Sequence, residues 1–122
     1  MSRTILIVDD DASIRRLIAA TLEDVSGYRL VEAGDGEEAV ERALASRPQI
    51  VLLDIEMPRV DGLETCRRMR SEPTLAHATI VVLTGDSDER AQRSARAAGA
   101  DLFLTKPFSP LHLLQLVDSI GS

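Results

Sequence analysis

Five short apolar runs, each followed by a segment long enough for a helix, constrain this chain more than any other feature. They read as strands at Ile5–Val8, Tyr28–Ala33, Ile50–Leu53, Thr79–Leu83 and Ala100–Leu104. The best of them are nearly continuous in Val, Ile and Leu, the pattern of strands covered on both faces. The segments between run about ten to fourteen residues. Strand and helix in alternation imply an α/β domain, because a parallel strand pair needs a crossover that a helix supplies. At 122 residues and 44% apolar content, the chain is expected to form one domain, residues 1–122, with a real core. It contains no linker, repeat or low-complexity tract.

Local signals mark where the helices begin and end. Asp35 precedes Glu38, Asp61 precedes Glu64 and Asp86 precedes Glu89, each an acidic relative of the capping box. Ser109 sets a capping hydroxyl before Pro110, which suits the first helical position. Gly99 follows the Arg90–Ala98 segment and can end it in the left-handed region.

Composition removes several function classes. A net charge of −6 argues against direct nucleic-acid binding, which needs a basic face. The aromatics are Tyr28, Phe103 and Phe108, too few for a base-stacking surface. No apolar run reaches the roughly 18 residues of a membrane span. The first apolar run is short and ends in acids, unlike a signal peptide. Cys66 is the sole cysteine, so no internal disulfide forms. Together these set an expectation of a cytoplasmic protein without membrane contact.

In an open parallel sheet the chemistry lies beyond the C-terminal strand ends. The first run, I-L-I-V, leads into Asp9, Asp10 and Asp11; the third leads into Asp54; the fourth into Thr84-Gly85; the fifth into Lys106-Pro107. If those strands are neighbours, the groups converge. Two carboxylates about 4 Å apart repel by roughly 4 kcal/mol at an effective dielectric of 20. One lysine cannot neutralise three acids, whereas an all-oxygen set that leaves room for water suits Mg²⁺. The lysine and the threonine hydroxyl then suit phosphoryl oxygens, and a carboxylate in the same pocket can attack phosphorus.

Each residue also has a plainer reading. A single Asp after a strand usually caps a helix, and Asp11 is so placed relative to Ser13. Thr-Gly and Lys-Pro usually make turns. His77 and His112 lack companions at metal-ligand spacing and read as surface residues. Cys66 shares a helix with Leu63 and Met69 and reads as packing. The coincidence of all four groups at successive strand ends is what the plain readings leave unexplained.

These residues resemble the receiver domain of bacterial two-component response regulators over almost the whole chain. The matching fragments are Asp9-Asp10 in I-L-I-V-D-D-D, Asp54 in L-L-D-I-E-M-P-R-V-D-G, Thr84 in V-V-L-T-G and Lys106 in L-T-K-P-F, in the family's order. The resemblance implies a flavodoxin-like (βα)5 fold with strand order 2-1-3-4-5 and helices on both faces. It implies that Asp54 takes a phosphoryl group from the phosphohistidine of a sensor histidine kinase or phosphotransfer protein. Mg²⁺, or Mn²⁺ in its place, would be held by Asp10, Asp54 and the backbone carbonyl of Glu56, with Asp9 assisting through water. Lys106 would touch Asp54 before modification and the phosphoryl oxygens after it. Thr84 would move toward the phosphoryl group and Phe103 would follow inward. Glu56 and Asp86 would tune phosphoryl lifetime, with a sign the residues leave open. Lys106-Pro107 would be cis. A downstream effector domain or protein would read the surface around the fourth and fifth helices.

Two helices carry features of their own. The helix near Ser87 turns Ala91, Ala95 and Ala98 inward, so it buries little and should shift cheaply. Its Arg90, Arg93 and Arg96 form either a solvated face or a state-dependent docking surface. In the last helix Leu113, Leu116, Val117 and Ile120 form an apolar stripe, with Leu111 and Leu114 to its side, where they either widen the core face or form a contact for a partner or a second copy. The family's dimerising transcription-factor branch usually carries a second acid where Leu102 stands, and basic residues in the last helix. Gln115–Ser122 has none, so a monomer or a different phosphorylation-dependent dimer is expected.

Two other readings remain open at this point. D-D-D-A-S contains the D-x-D-x-S pattern of haloacid-dehalogenase-type phosphatases, with Asp9 as nucleophile and Asp11 as acid/base. Lys106 follows Gly85-Asp86, however, where that family places its lysine before, and the chain is short for that core plus a cap. The other reading is a receiver-like interaction module that is never phosphorylated.

Overall fold

A strand whose every residue is apolar must be covered on both sides, and the chain satisfies this with one sheet between two helical layers. The computed structural model describes residues 3–23, 27–56, 62–85 and 89–121. In chain order these form β1 (Thr4–Val8), α1 (Ala12–Leu22), β2 (Arg29–Ala33), α2 (Gly36–Ser46), β3 (Ile50–Asp54), α3 (Gly62–Arg70), β4 (Thr79–Thr84), α4 (Glu89–Ala97), β5 (Leu102–Thr105) and α5 (Pro110–Gly121). A single 3-10 turn, Pro73–Leu75, precedes β4. All pairings are parallel and the strand order is β2-β1-β3-β4-β5. This is the flavodoxin-like α/β fold expected from the sequence.

Alternate residues of the central strands feed two separate cores. Ile5, Ile7, Ile50, Leu52, Val81 and Leu83 pack with Ile18 and Leu22 of α1 and Leu113 and Val117 of α5. Leu6, Val8, Val51, Leu53, Ile80 and Val82 pack on the other face with Ala39 and Ala43 of α2, Cys66 and Met69 of α3, and Ala95 and Ala98. Cys66 is buried there, and burial pushes its thiol up to about 11, so it packs rather than reacts.

The helix ends follow their local chemistry. Asp11 caps α1, accepting from the N–H groups of Ser13 and Ile14, as its plain reading held. Asp35 accepts from Glu38 N–H at 2.8 Å, but the Glu38 carboxylate reaches one residue further back than a capping box requires, to Gly34 N–H at 2.9 Å. Ser109 Oγ accepts from His112 N–H. Gly99 stands at φ +108° just after α4. The caps at Asp61 and Asp86 lie outside the described residues.

Two strand starts are corrected. β2 begins at Arg29 rather than Tyr28, and the fifth strand starts at Leu102 rather than Ala100, because Ala100 N–H is spent on the Ala95 carbonyl at the end of α4. Of the two leucines beside the α5 stripe, Leu114 widens the core face and Leu111 is 61% exposed. His77 and His112 are exposed.

Candidate functional site

The strand order sets β1 beside β3 and β3 beside β4, so the residues that follow them meet at one edge. Asp54 is the last residue of β3 and Thr84 the last of β4; both are buried. Asp9, one residue past β1, is buried too, while Asp10 is exposed. The Asp9, Asp10 and Asp54 carboxylates each bring an oxygen within 4.8 Å of the others. Lys106, two residues beyond Leu104, is half-buried; its Nζ stands 3.2 Å from Asp54 Oδ2 and 3.7 Å from Asp9 Oδ2. Its backbone N–H donates to the Thr84 carbonyl at 2.7 Å, which ties the two loops together. The Lys106-Pro107 peptide is cis.

The backbone fixes the carboxylates. Asp54 Oδ1 accepts from Glu56 N–H at 2.9 Å, and Asp9 Oδ1 accepts from Asp11 N–H at 2.9 Å. Asp9 Oδ2 is buried without a hydrogen bond, and the lysine beside it stands beyond hydrogen-bond reach. Burial raises the Asp9 carboxyl from 3.8 to about 6; the Asp54 and Asp10 charges add to the rise, while the Asp11 N–H and Lys106 oppose it. An orphaned, buried carboxylate oxygen inside an acidic cluster is what an all-oxygen cation site leaves when no cation offsets it. The donor set therefore fits a hard divalent ion such as Mg²⁺.

Two contacts here were not foreseen. The Glu56 carboxylate accepts from Gly85 N–H at 2.9 Å, so one residue bridges the loop after Asp54 to the loop after Thr84. Gly62 opens α3 directly against that first loop. A Cβ there would sit 2.2 Å from Ile55 Cα and 2.7 Å from the Asp54 carbonyl oxygen, so any side chain would displace the aspartate's backbone. The D-G pair before a helical segment is the sequence trace of this close approach. Asp86 lies outside the described residues. Phe103 is half-buried on the α4 side of β5, and Arg96 Cζ lies 5.2 Å from its ring centroid. An apolar groove lined by Ile14, Leu17, Ile18, Phe108, Pro110 and Leu113 also includes Glu56, Gly85 and Lys106 in its wall.

A family model described as the response regulator receiver domain matches residues 5–118. The chain belongs to that family. This receiver domain is 38% identical over 98% of its length to the alkaline phosphatase synthesis transcriptional regulatory protein PhoP of Bacillus subtilis, covering 49% of that protein. It is 42% identical over 95% of its length to the transcriptional regulatory protein PdtaR of Mycobacterium tuberculosis, covering 55%. The chain thus spans about half the length of the curated relatives it matches. Among solved structures, the chemotaxis protein CheY4 of Vibrio cholerae superposes with a TM-score of 0.92 at 32% identity, covering 98% of this chain and 99% of that one. Receiver domains of response regulators are signalling switches, and this one shares their fold and carries an acidic cluster able to hold a metal ion. Among the described residues no helix is long and apolar enough to cross a membrane.

Proposed function

We propose that residues 1–122 act as one phosphoacceptor unit in which Asp54 receives a phosphoryl group from a phosphohistidine of a sensor histidine kinase or phosphotransfer protein. The observation that carries this is a buried Asp54 carboxylate paired to Lys106 and clustered with Asp9, whose Oδ2 is orphaned. An Asp54 oxygen attacks phosphorus, the P–N bond breaks, and the imidazole leaves with the electron pair to take a proton. Asp9, Asp10, Asp54 and the Glu56 carbonyl would hold Mg²⁺, or Mn²⁺ in its place. When bound, the metal would neutralise the carboxylates and the phosphoryl oxygens.

The remaining residues then have distinct tasks. Lys106 exchanges its Asp54 partner for a phosphoryl oxygen. The Thr84 hydroxyl turns toward that group, and Phe103 follows into the space beside α4. Glu56 and Asp86 govern how long the acyl phosphate survives water. The altered α4–α5 surface is read by a downstream effector, without direct contact to nucleic acid and by a monomer or a phosphorylation-dependent dimer. A cytoplasmic setting fits the buried Cys66 thiol.

The phosphatase reading loses its acid/base, since the Asp11 carboxylate is engaged in capping α1. Intact mass after incubation with acetyl phosphate tests the rest. Wild type with Mg²⁺ should gain roughly 80 Da, the mass of one phosphoryl group, and Asp54→Asn should gain none. Equal gain in the Asp54→Asn protein would refute the site. No gain in either protein, with acetyl phosphate or with a phosphorylated kinase, would favour the silent module.

A further inference from the structure

We propose that Arg15 is a positioning residue for the acidic pocket, an inference that rests on reading Asp9, Asp10 and Asp54 as the Mg²⁺ ligands. Arg15 lies one turn into α1, and its side chain folds back beneath the loop that carries Asp9 and Asp10. Its Nη1 donates to the Asp9 backbone carbonyl, and its Nε donates to Glu32 Oε1 on β2 at 3.3 Å. Its own backbone N–H donates to the Asp11 carbonyl at 3.0 Å. The Arg15 side chain is only 18% exposed.

The rest of Asp9 is held to match. Its N–H donates to the Ala33 carbonyl at 3.2 Å and its Oδ1 accepts from Asp11 N–H. With those atoms and the carbonyl all fixed, Oδ2 is the one polar atom of Asp9 left aimed into the cluster. Gly34 completes the seat: a Cβ there would stand 3.3 Å from Arg15 Nη1 and 3.8 Å from Cζ, so the bare glycine gives the guanidinium its room. A planar fork can grip a carboxylate and a carbonyl together, whereas an ammonium offers a point charge without that geometry.

Charge and position predict opposite outcomes, which makes the inference testable. A fixed cation beside the pocket repels a second cation, so by charge alone removing Arg15 would tighten Mg²⁺ binding. By position, removing it lets the Asp9 carbonyl and carboxylate drift, and binding weakens. Groups that orient metal ligands typically contribute 10–100-fold in affinity, and the lower end fits a contact made through backbone.

The experiment is Mg²⁺ titration calorimetry on wild type, Arg15→Ala, Arg15→Lys and Gly34→Ala, with thermal unfolding of each as a fold check. Arg15→Ala and Arg15→Lys should both bind roughly tenfold more weakly. Gly34→Ala, which crowds the guanidinium and alters no charge, should bind more weakly by a smaller factor; it carries the test if the Arg15 variants do not fold. Exposed Arg16→Ala should bind as wild type does. Tighter binding by Arg15→Ala, or wild-type binding by Arg15→Lys and Gly34→Ala, would overturn the positioning role and leave the metal site standing. Wild type that takes up no Mg²⁺ would overturn the metal reading, and this inference with it.

Discussion

α4 and α5 flank the same strand, β5, yet they are anchored in different ways. α5 buries Leu113 and Val117 completely and packs Leu114, Leu116 and Ile120 against the same core. α4 buries Ala95, with Ala98 just beyond its end, and its outer face is exposed arginine. A fully buried Leu or Val contributes about 1.5–3 kcal/mol, and an alanine methyl a fraction of that. So α5 is held by its core, whereas α4 rests on methyl groups and on what its ends touch. The element next to the Thr84 loop is therefore the one whose displacement would cost less, and the element across the strand the one whose displacement would cost more.

The largest effect expected from this contrast is on α5. Leu113→Ala should cost about 2–5 kcal/mol of unfolding free energy, measured by urea titration, through a cavity between α5 and the sheet. The acidic site at the strand ends gives the next. The folded Asp9 carboxyl, raised from 3.8 to about 6, binds its proton more tightly than the unfolded one. The contribution of this group to metal-free stability is therefore fullest below pH 4 and is lost as pH rises through 6, by on the order of 2–3 kcal/mol. Asp9→Asn should abolish that loss, and saturating Mg²⁺ should shrink it in wild type. A pH series of unfolding midpoints checks both.

Smaller effects belong to α4. Ala95→Gly should cost about 1 kcal/mol, mostly helix propensity, and a loss equal to that of Leu113→Ala would break the comparison. Arg96→Ala removes the cation over Phe103 and should cost about 0.5–1 kcal/mol at this exposed position. If the stacked arginine restrains the ring, the same variant should sharpen the contrast further, by lowering amide protection in α4 without touching α5.

The fold was legible because the central strands are buried on both faces, so between their polar ends their sequence is continuously apolar and needs no period to be seen. The edge strand was placed less well. β5 pairs on one side only and keeps polar company, and its start is decided by where α4 ends rather than by its own residues. At the site, the positions of Asp9, Asp54, Thr84 and Lys106 followed from strand ends. Long side chains that reach across the sequence did not. Arg70 is the clearest case: from the end of α3 it donates to the Gly99 carbonyl at 3.0 and 2.9 Å, to the Ala78 carbonyl at 3.0 Å, and to Asp101 at 2.7 Å. Asp101 in turn accepts from Ile80 N–H at 2.8 Å, so its carboxylate is engaged within the chain. Nothing in the sequence sets Arg70 apart from Arg67 and Arg68 on the same helix. Glu56 to Gly85 and Arg15 to Asp9 are of the same kind, visible once the loops are side by side.

The central claim is that modification of Asp54 is felt by α4 against a fixed α5. Amide hydrogen exchange followed by mass spectrometry measures this most directly, on wild type and Asp54→Asn, each with Mg²⁺ and with or without acetyl phosphate. Phosphodonor should change exchange across Glu89–Ala97, leave Pro110–Gly121 little changed, and change nothing anywhere in Asp54→Asn. A modified protein in which α4 exchanges as before, or in which α5 changes more than α4, would contradict the claim.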